Sequence, residues 1–211
     1  MAVENPKAYY EIPFGVMPRP ADGEEEPGLQ WTAVKGDNGG YAIVNNNTYS
    51  SSVRGGTIYQ TVLRSPIYGD HGGPRTAESE FTDQGRIDFK YILMPVGDSW
   101  TPVTRTAKQL NKPVTGIIET WHPGKLSDKP YAGLQIDAEN VLLSAIKRSE
   151  DGTGLILRLY ETDGKEAKFT ASGDLLPVSL TDTITPWSVE TWYLADGAAE
   201  WKKVLLTEYD A

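Results

Sequence analysis

Glycine and proline interrupt this sequence so often that long regular elements have little room. The 211 residues include 21 glycines and 14 prolines, and such frequent breaks favour many short elements. Three of the intervals between breaks are rich in β-branched and aromatic residues, namely residues 40–46, 57–63 and 86–94. Residues of these types favour strands. The sequence therefore predicts an all-β protein that folds as an antiparallel β-sandwich.

The segment 86–94 also shows the alternation expected of a strand with one face in a core. Ile87, Phe89, Tyr91 and Leu93 occupy every second position and are separated mainly by polar residues. Successive side chains of a strand point to opposite faces of the sheet. We therefore expect these four side chains to pack into a core, and the residues between them to face water.

The C-terminal third contains the strongest hairpin signals. Three apolar segments, residues 141–147, 154–160 and 167–171, are separated by the pairs Asp151-Gly152 and Asp163-Gly164. Asp-Gly is typical of a type I′ turn, because both central residues of that turn need positive φ. The pattern predicts three strands that pair in chain order as an antiparallel meander.

Two further strands and one helix complete the predicted elements. Residues 189–194 and 203–206 are the candidates for strands that close the C-terminal part. Residues 102–111 are the one plausible helix, and it is short. The sequence shows no repeat of fixed period, so a solenoid is not expected.

A domain boundary is predicted between His122 and Asn140. This stretch has few apolar residues and contains two prolines and two glycines, as is typical of a linker or a long connection. The predicted domains are residues 1–138 and residues 139–211. The alternative is an ordinary long loop within one sandwich.

The composition excludes several classes of function. The chain has 20 Lys and Arg against 29 Asp and Glu, and a formal net charge of −9, which argues against a nucleic-acid partner and against an anionic membrane surface. The absence of cysteine excludes disulfides and thiolate chemistry. With two histidines, a His-rich metal site is not expected. No apolar run is long enough for a membrane span and the N-terminus lacks a signal core, so we expect a soluble, cytoplasmic protein.

Residues 64–73 form the segment most typical of a binding site. The segment combines Arg64, Asp70 and His71 with a glycine-rich loop after a predicted strand. A triad with Ser65 is rejected, because no G-x-S-x-G turn surrounds that serine. The alternative is a structural loop in which Asp70 caps a turn.

Two other features have weaker functional interpretations. The acidic run Glu24-Glu25-Glu26 follows Asp22, but adjacent residues of an extended chain point to opposite faces, so they make a poor catalytic pair. A solvated loop is the simpler interpretation. The six tryptophans are candidates for sugar stacking, although such side chains more often fill a core.

The order of these segments resembles the C-terminal β-sandwich region of glycoside hydrolase family 38, the retaining α-mannosidases. Arg64-Ser65-Pro66 followed by Asp70-His71 is the most specific part. One motif departs from the family pattern Asn-Asp-x-Lys-Tyr, since Asn46 replaces its Asp. The other similar segments are residues 12–15, 19–27, 30–31, 40–46, 83–85, 97–100, 107–113, 142–147, 155–161 and 186–191.

The resemblance implies both a fold and a role. Residues 1–138 would be the latter part of a large supersandwich that resembles the mutarotase fold and is incomplete, and residues 139–211 a small terminal sandwich. Enzymes of this family bind zinc and use an Asp nucleophile in a catalytic domain. This sequence has no H-x-H-x-D segment, so neither a metal ligand nor a catalytic residue can be assigned here.

The resemblance therefore predicts a non-catalytic domain, inactive alone, of an enzyme that hydrolyses α-mannosides. Its partner would be the catalytic domain of the same α-mannosidase, which would hold the zinc, whereas this chain would hold no cofactor. Arg64, Asp70 and His71 are the candidates for contact with the substrate cleft. The alternatives are an independent carbohydrate-binding module and a self-sufficient hydrolase that uses Asp70 and an acid from residues 22–26.

Overall fold

The computed structural model describes residues 3–67, 76, 80–124 and 131–208, and within them the regular structure is antiparallel sheet apart from one helix. The all-β prediction is confirmed. No helix among the described residues is long and apolar enough to cross a membrane. The elements in chain order are β1 Lys7–Ile12, β2 Gly15–Arg19, β3 Asp22–Pro27, β4 Trp31–Gly36, β5 Gly39–Asn45, β6 Ser50–Arg54, β7 Thr57–Gln60, β8 Tyr91–Val96, α1 Thr101–Asn111, β9 Gln135–Ile136, β10 Val141–Arg148, β11 Gly154–Glu161, β12 Ala167–Ser172, β13 Leu180–Ile184, β14 Val189–Ala195 and β15 Lys202–Val204.

The chain divides into two compact units. The N-terminal unit contains Val16–Asp98, Pro102–Pro113 and the N-terminal residues through Ile12, and the C-terminal unit contains Pro13–Gly15, Ser99–Thr101 and the residues from Val114 onward. The boundary between domains at residues 138 and 139 stays a prediction.

The N-terminal unit is built from two sheets. One has the order β2-β1-β4-β5-β8 and the other the order β3-β6-β7. Side chains from both sheets form a shared core, in which Tyr10 and Val34 of the larger sheet pack with Val53 and Ile58 of the smaller one. Burial of these apolar side chains is the main stabilising contribution to such a sandwich.

The helix α1 of the N-terminal unit is joined to the larger sheet by polar contacts. Asn111 donates a hydrogen bond of 2.9 Å to the backbone oxygen of Asn45 at the end of β5. Burial raises the pKa of Glu11 on β1 and lowers the pKa of Lys108 on α1, and the attraction between the two charges opposes both shifts. The predicted helix is confirmed. Its side chains Val103 and Ala107 are buried, which supplies the tertiary packing that a short helix needs.

The C-terminal unit is a small sandwich. One sheet has the order β10-β11-β14-β15, and the other has the order β13-β12-β9. Its core contains Leu157 and Trp192 from the first sheet together with Phe169 and Ile184 from the second. The rings of Phe169 and Trp192 meet edge to face, with centroids 5.3 Å apart, an arrangement that aromatic pairs favour.

The predicted meander is wrong at its third strand. β10 and β11 pair as expected, but β11 then pairs with β14, while β12 pairs with β13 and β9 in the opposite sheet. The turn at Asp163-Gly164 thus carries the chain from one sheet of the sandwich to the other. The type I′ expectation is also wrong, because Gly152 and Gly164 have positive φ but the aspartates before them do not.

The prediction for residues 86–94 is wrong in extent and in orientation. The strand β8 begins only at Tyr91, and Leu93, expected in a core, is 71% exposed. The buried residue at the end of this strand is Val96. β8 pairs with β5 alone and lies at an edge of its sheet, so one face of the strand can stay uncovered.

The remaining strand predictions are confirmed with small changes in length. β5 and β14 match their predicted segments. β7 ends at Gln60 and β15 at Val204, earlier than expected.

We expect Gly164→Ala to destabilise the C-terminal unit more than Gly152→Ala. The two glycines have nearly the same φ, +71° and +73°, but a Cβ at Gly164 would overlap the Trp187 indole whereas a Cβ at Gly152 would meet nothing within 4 Å. Positive φ costs each alanine about 1–2 kcal/mol, and overlap adds about 1–3 kcal/mol at Gly164. Urea unfolding measures the free energy of unfolding of both variants. Equal losses in the two variants would contradict the overlap between a Cβ at Gly164 and the Trp187 indole.

Asp151 is expected to make the C-terminal unit sensitive to acid. Hydrogen bonds from the Ser149 hydroxyl, and from the backbone and hydroxyl of Thr153, lower the pKa of Asp151 to about 2. A lowered pKa means that this stabilisation is present above the unfolded pKa of about 3.9 and is lost as pH falls towards 2. Between pH 6 and pH 2, the Tm of Asp151→Asn should fall less than the Tm of the wild type. The Tm of the control Asp174→Asn, which replaces an exposed aspartate, should fall as much as that of the wild type.

Candidate functional site

The described part of the predicted site is an exposed polar cluster at the end of β7. Arg64 has a side chain 74% exposed, and its guanidinium lies 3.9 Å from the Glu25 carboxylate on β3. Asp70 and His71 lie outside the described residues. The role of Arg64, Asp70 and His71 at a substrate cleft therefore stays a prediction.

Glu25 is held as a carboxylate in this cluster. The Thr61 hydroxyl donates a short hydrogen bond to it, and hydrogen bonds from Thr61 and Ser50, with the charge of Arg64, lower the pKa of Glu25. A general acid in glycoside hydrolysis needs a raised pKa instead. Glu25 is therefore suited to ion pairing or to accepting hydrogen bonds from hydroxyl groups.

The neighbouring carboxylate Glu26 belongs to a different contact. Its oxygen lies 2.8 Å from the Arg19 guanidinium, which also donates to the Pro27 carbonyl. The acidic run is thus part of strand β3, rather than a loop, and the side chains of Glu25 and Glu26 have separate basic partners. This arrangement does not form a catalytic pair of carboxylates.

The described residues contain no metal-binding group of three or more His, Asp or Glu side chains. His122 is exposed and lies next to the Pro123 carbonyl, 3.2 Å from its Nδ1. A groove of about 480 Å³ beside β8 is lined largely by apolar groups, including Leu93, Met94 and Pro95. Its described lining residues include no carboxylate and no imidazole.

The tryptophans differ widely in exposure. Trp31 and Trp192 are buried in cores, whereas Trp187 is 43% and Trp121 is 94% exposed. The Trp187 ring lies over Gly164, which supports one side of the indole. Buried tryptophans cannot stack on a sugar, so the two core residues are excluded as platforms.

A buried carboxylate that the sequence reasoning missed organises the C-terminal unit. Glu161 is fully buried, and its two oxygens accept hydrogen bonds from the backbone nitrogens of Asp163, Gly164 and Trp187 at 2.7, 2.8 and 3.0 Å. The Asn140 side-chain amide adds a fourth, at 2.7 Å. The signal that could have found it is a carboxylate at the end of an apolar strand, two residues before Asp-Gly.

Asp163 has a second structural role in the same turn. Its carboxylate accepts hydrogen bonds from the backbone nitrogens of Trp100 and Thr101, at 2.6 and 3.1 Å, and from the Ser99 hydroxyl at 2.7 Å. Ser99, Trp100 and Thr101 belong to the C-terminal unit. The Asp163 carboxylate therefore holds a segment distant in sequence within that unit.

The fold defines a two-unit β protein in which Glu26, Glu161 and Asp163 are engaged in structural contacts. Two family descriptions match the chain, "Glycosyl hydrolases family 38 C-terminal domain" over residues 1–72 and "Glycosyl hydrolases family 38 C-terminal beta sandwich domain" over residues 140–208. The chain belongs to the C-terminal β-sandwich region of glycoside hydrolase family 38.

Curated relatives agree with this assignment. The chain is 30% identical over 175 residues to alpha-mannosidase 2C1 of Mus musculus, a match that covers 77% of this chain and 16% of the relative. It is 29% identical over 192 residues to alpha-mannosidase G of Dictyostelium discoideum, covering 84% of this chain and 16% of that protein. The chain thus spans about a sixth of the length of these relatives.

A solved structure shares the fold. The crystal structure of an alpha-mannosidase from Enterococcus faecalis V583 superimposes with a TM-score of 0.72 at 20% sequence identity, covering 92% of this chain and 24% of that one. At this level of identity the likeness establishes the architecture.

Proposed function

We propose that this chain is the non-catalytic β region of a retaining α-mannosidase, and that it packs against and supports the catalytic domain. The observation that carries the proposal is the match of two C-terminal descriptions of one family, in order, to a chain that spans 16% of relatives named alpha-mannosidases. The catalytic domain would supply the nucleophile and hold the zinc, and this chain would hold no cofactor.

The described carboxylates support a structural role. Glu161 is saturated by hydrogen bonds from its own unit, and Glu26 pairs with Arg19. Glu25 is held in its ionised form. Glycoside hydrolysis needs two carboxyl groups that face one substrate bond, whereas each of these three carboxylates is engaged by neighbouring groups of the protein.

The isolated chain should not hydrolyse an aryl α-mannoside, with or without added zinc, while its circular dichroism shows a folded β protein. Zinc-dependent turnover would contradict the proposal. The same sample, titrated with mannose and mannobiose, should show no saturable change in tryptophan fluorescence. A saturable change would instead favour the carbohydrate-binding module.

A finer part of the proposal places Arg64, Asp70 and His71 at the rim of the substrate cleft. In the full-length enzyme, Asp70→Ala with His71→Ala should lower kcat/KM for an α-mannoside about tenfold, equivalent to about 1.4 kcal/mol of transition-state binding. The exposed pair Glu166→Ala with Lys168→Ala is the matched control. Unchanged kcat/KM in the first variant would remove these residues from the cleft.

A further inference from the structure

The hairpin that joins β4 to β5 contains the one place in the sequence where glycine follows asparagine, at Asn38-Gly39. β4 ends at Gly36 and β5 begins at Gly39, so Asp37 and Asn38 form the tip of the hairpin. Both tip residues are exposed, and a Cβ at Gly39 would meet nothing within 4 Å. The space beside the Gly39 α-carbon is therefore open, and water reaches the Asn38 side chain.

The side-chain amide of Asn38 is held in place by the backbone of Glu4. The Glu4 nitrogen donates a hydrogen bond of 2.9 Å to Asn38 Oδ1. Two neighbouring contacts fix this arrangement, since the Asp37 nitrogen donates to the Glu4 carbonyl at 3.0 Å and Asn5 Nδ2 donates to the Asp37 carboxylate at 2.6 Å. A fixed N–H at Oδ1 stabilises the negative charge that develops on this oxygen when a nucleophile attacks Cγ. The amide of Asn38 is thus polarised towards attack.

We propose that Asn38 is a site of spontaneous deamidation, with the Gly39 backbone nitrogen as the nucleophile. This nitrogen forms a bond to Asn38 Cγ and loses its proton, the bond from Cγ to Nδ2 breaks, and ammonia leaves with that proton. The product is a five-membered succinimide ring. Water then opens one of the two ring carbonyls and gives either aspartate or isoaspartate. Water is the one co-reactant, so the modification needs no enzyme.

The other asparagines are less suited to this reaction. Asn5 precedes proline, whose nitrogen carries no hydrogen and cannot close the ring. The remaining five precede residues whose side chains crowd the attacking nitrogen, and these are Asn45, Asn46, Asn47, Asn111 and Asn140. The Asp-Gly pairs, such as Asp151-Gly152, present an ionised carboxylate, which is a poorer electrophile than an amide. Deamidation should therefore be selective for Asn38.

The test is incubation of the purified chain at 37 °C in mildly alkaline buffer, followed by peptide mapping with mass spectrometry. The peptide that contains Asn38 should gain the mass of deamidation, which is the exchange of NH for O, at least about tenfold faster than any other asparagine peptide. Part of the product should be isoaspartate, detected by methylation with an isoaspartate methyltransferase.

Two variants test the chemistry at this site. Asn38→Gln should lower the rate of ammonia loss from residue 38 at least about tenfold, because its amide must close a six-membered ring. Gly39→Ala keeps Asn38 but places a methyl group beside the attacking nitrogen, so it should also slow the reaction. Circular dichroism should show that both variants remain folded, since the substituted positions lie at the exposed hairpin tip.

Three results would overturn the inference. The first is no mass gain in the Asn38 peptide, or an equal gain at Asn111. The second is a rate that Gly39→Ala leaves unchanged, because the Gly39 nitrogen would then not be the nucleophile. The third is aspartate as the sole product, which would indicate direct hydrolysis by water. The proposed function is tested separately by mannoside hydrolysis, so either can fail without the other.

Discussion

Glu161→Ala is expected to lower the free energy of unfolding of the C-terminal unit by about 3–6 kcal/mol, close to the whole stability of a small unit. The substitution leaves three backbone N–H groups without their acceptor, at Asp163, Gly164 and Trp187. A buried donor without a partner costs about 1–3 kcal/mol. Urea unfolding followed by near-ultraviolet circular dichroism measures the loss.

Two further variants test the cause of this loss. Glu161→Gln keeps one acceptor oxygen and should lose part of the stability, whereas Glu166→Ala changes an exposed carboxylate in the next strand connection and should lose within 0.5 kcal/mol, on the order of a surface substitution. A Glu161→Ala variant as stable as Glu166→Ala would show that the carboxylate does not organise the turn.

Trp192→Ala is expected to cost about 3–5 kcal/mol, as is typical when a large aromatic side chain is removed from a core. Trp192 is 1% exposed, packs on Phe169, and donates a hydrogen bond of 2.9 Å from Nε1 to the Asp182 carboxylate. Trp192→Phe keeps much of the packing, so it should lose less, about 1–2 kcal/mol, from the missing hydrogen bond and the smaller ring.

Trp121→Ala is the matched control for the tryptophan series. The same change of residue type is made in the same unit, but Trp121 is 94% exposed. Its effect on the free energy of unfolding should be within about 0.5 kcal/mol. Similar losses at Trp192 and Trp121 would contradict the assignment of Trp192 to the core.

The fold class could be predicted because the local signals for strands and turns agree with the tertiary structure. Short strands lie between the glycine and proline breaks, and α1 forms where the helix was predicted. Pairing could not be predicted in the same way. An Asp-Gly turn looks alike in sequence whether it joins two strands of one sheet, as at Gly152, or two sheets of a sandwich, as at Gly164. The choice depends on which strand covers the edge of β11, and that strand, β14, is distant in sequence.

Burial was predicted less well than strand type. Leu93 alternates correctly for a core strand but lies on an edge strand with an uncovered face, because alternation identifies two faces without identifying which one is covered. Glu161 shows the opposite case, since it is a charged residue that is fully buried. A carboxylate at a strand end is ordinarily read as solvated, and only the fold brings the backbone nitrogen of Trp187 to it.

The candidate site could be predicted from the sequence only in part. Arg64 contacts Glu25 in the described part of the segment, so the sequence located a polar cluster. Its link to a substrate depends on Asp70 and His71, and on a catalytic domain that this sequence does not contain. Residue patterns within one chain cannot define a cleft that two domains would form together.

The central claim is tested most directly by the activity of the full-length family 38 α-mannosidase that contains this region, compared with the same enzyme from which this region is removed. The rate of aryl α-mannoside hydrolysis and its half-life at 37 °C are measured for the catalytic domain alone and for the catalytic domain together with this region. The proposed support role predicts an increase of at least tenfold in activity or half-life when this region is present. Full activity and an unchanged half-life without this region would contradict it.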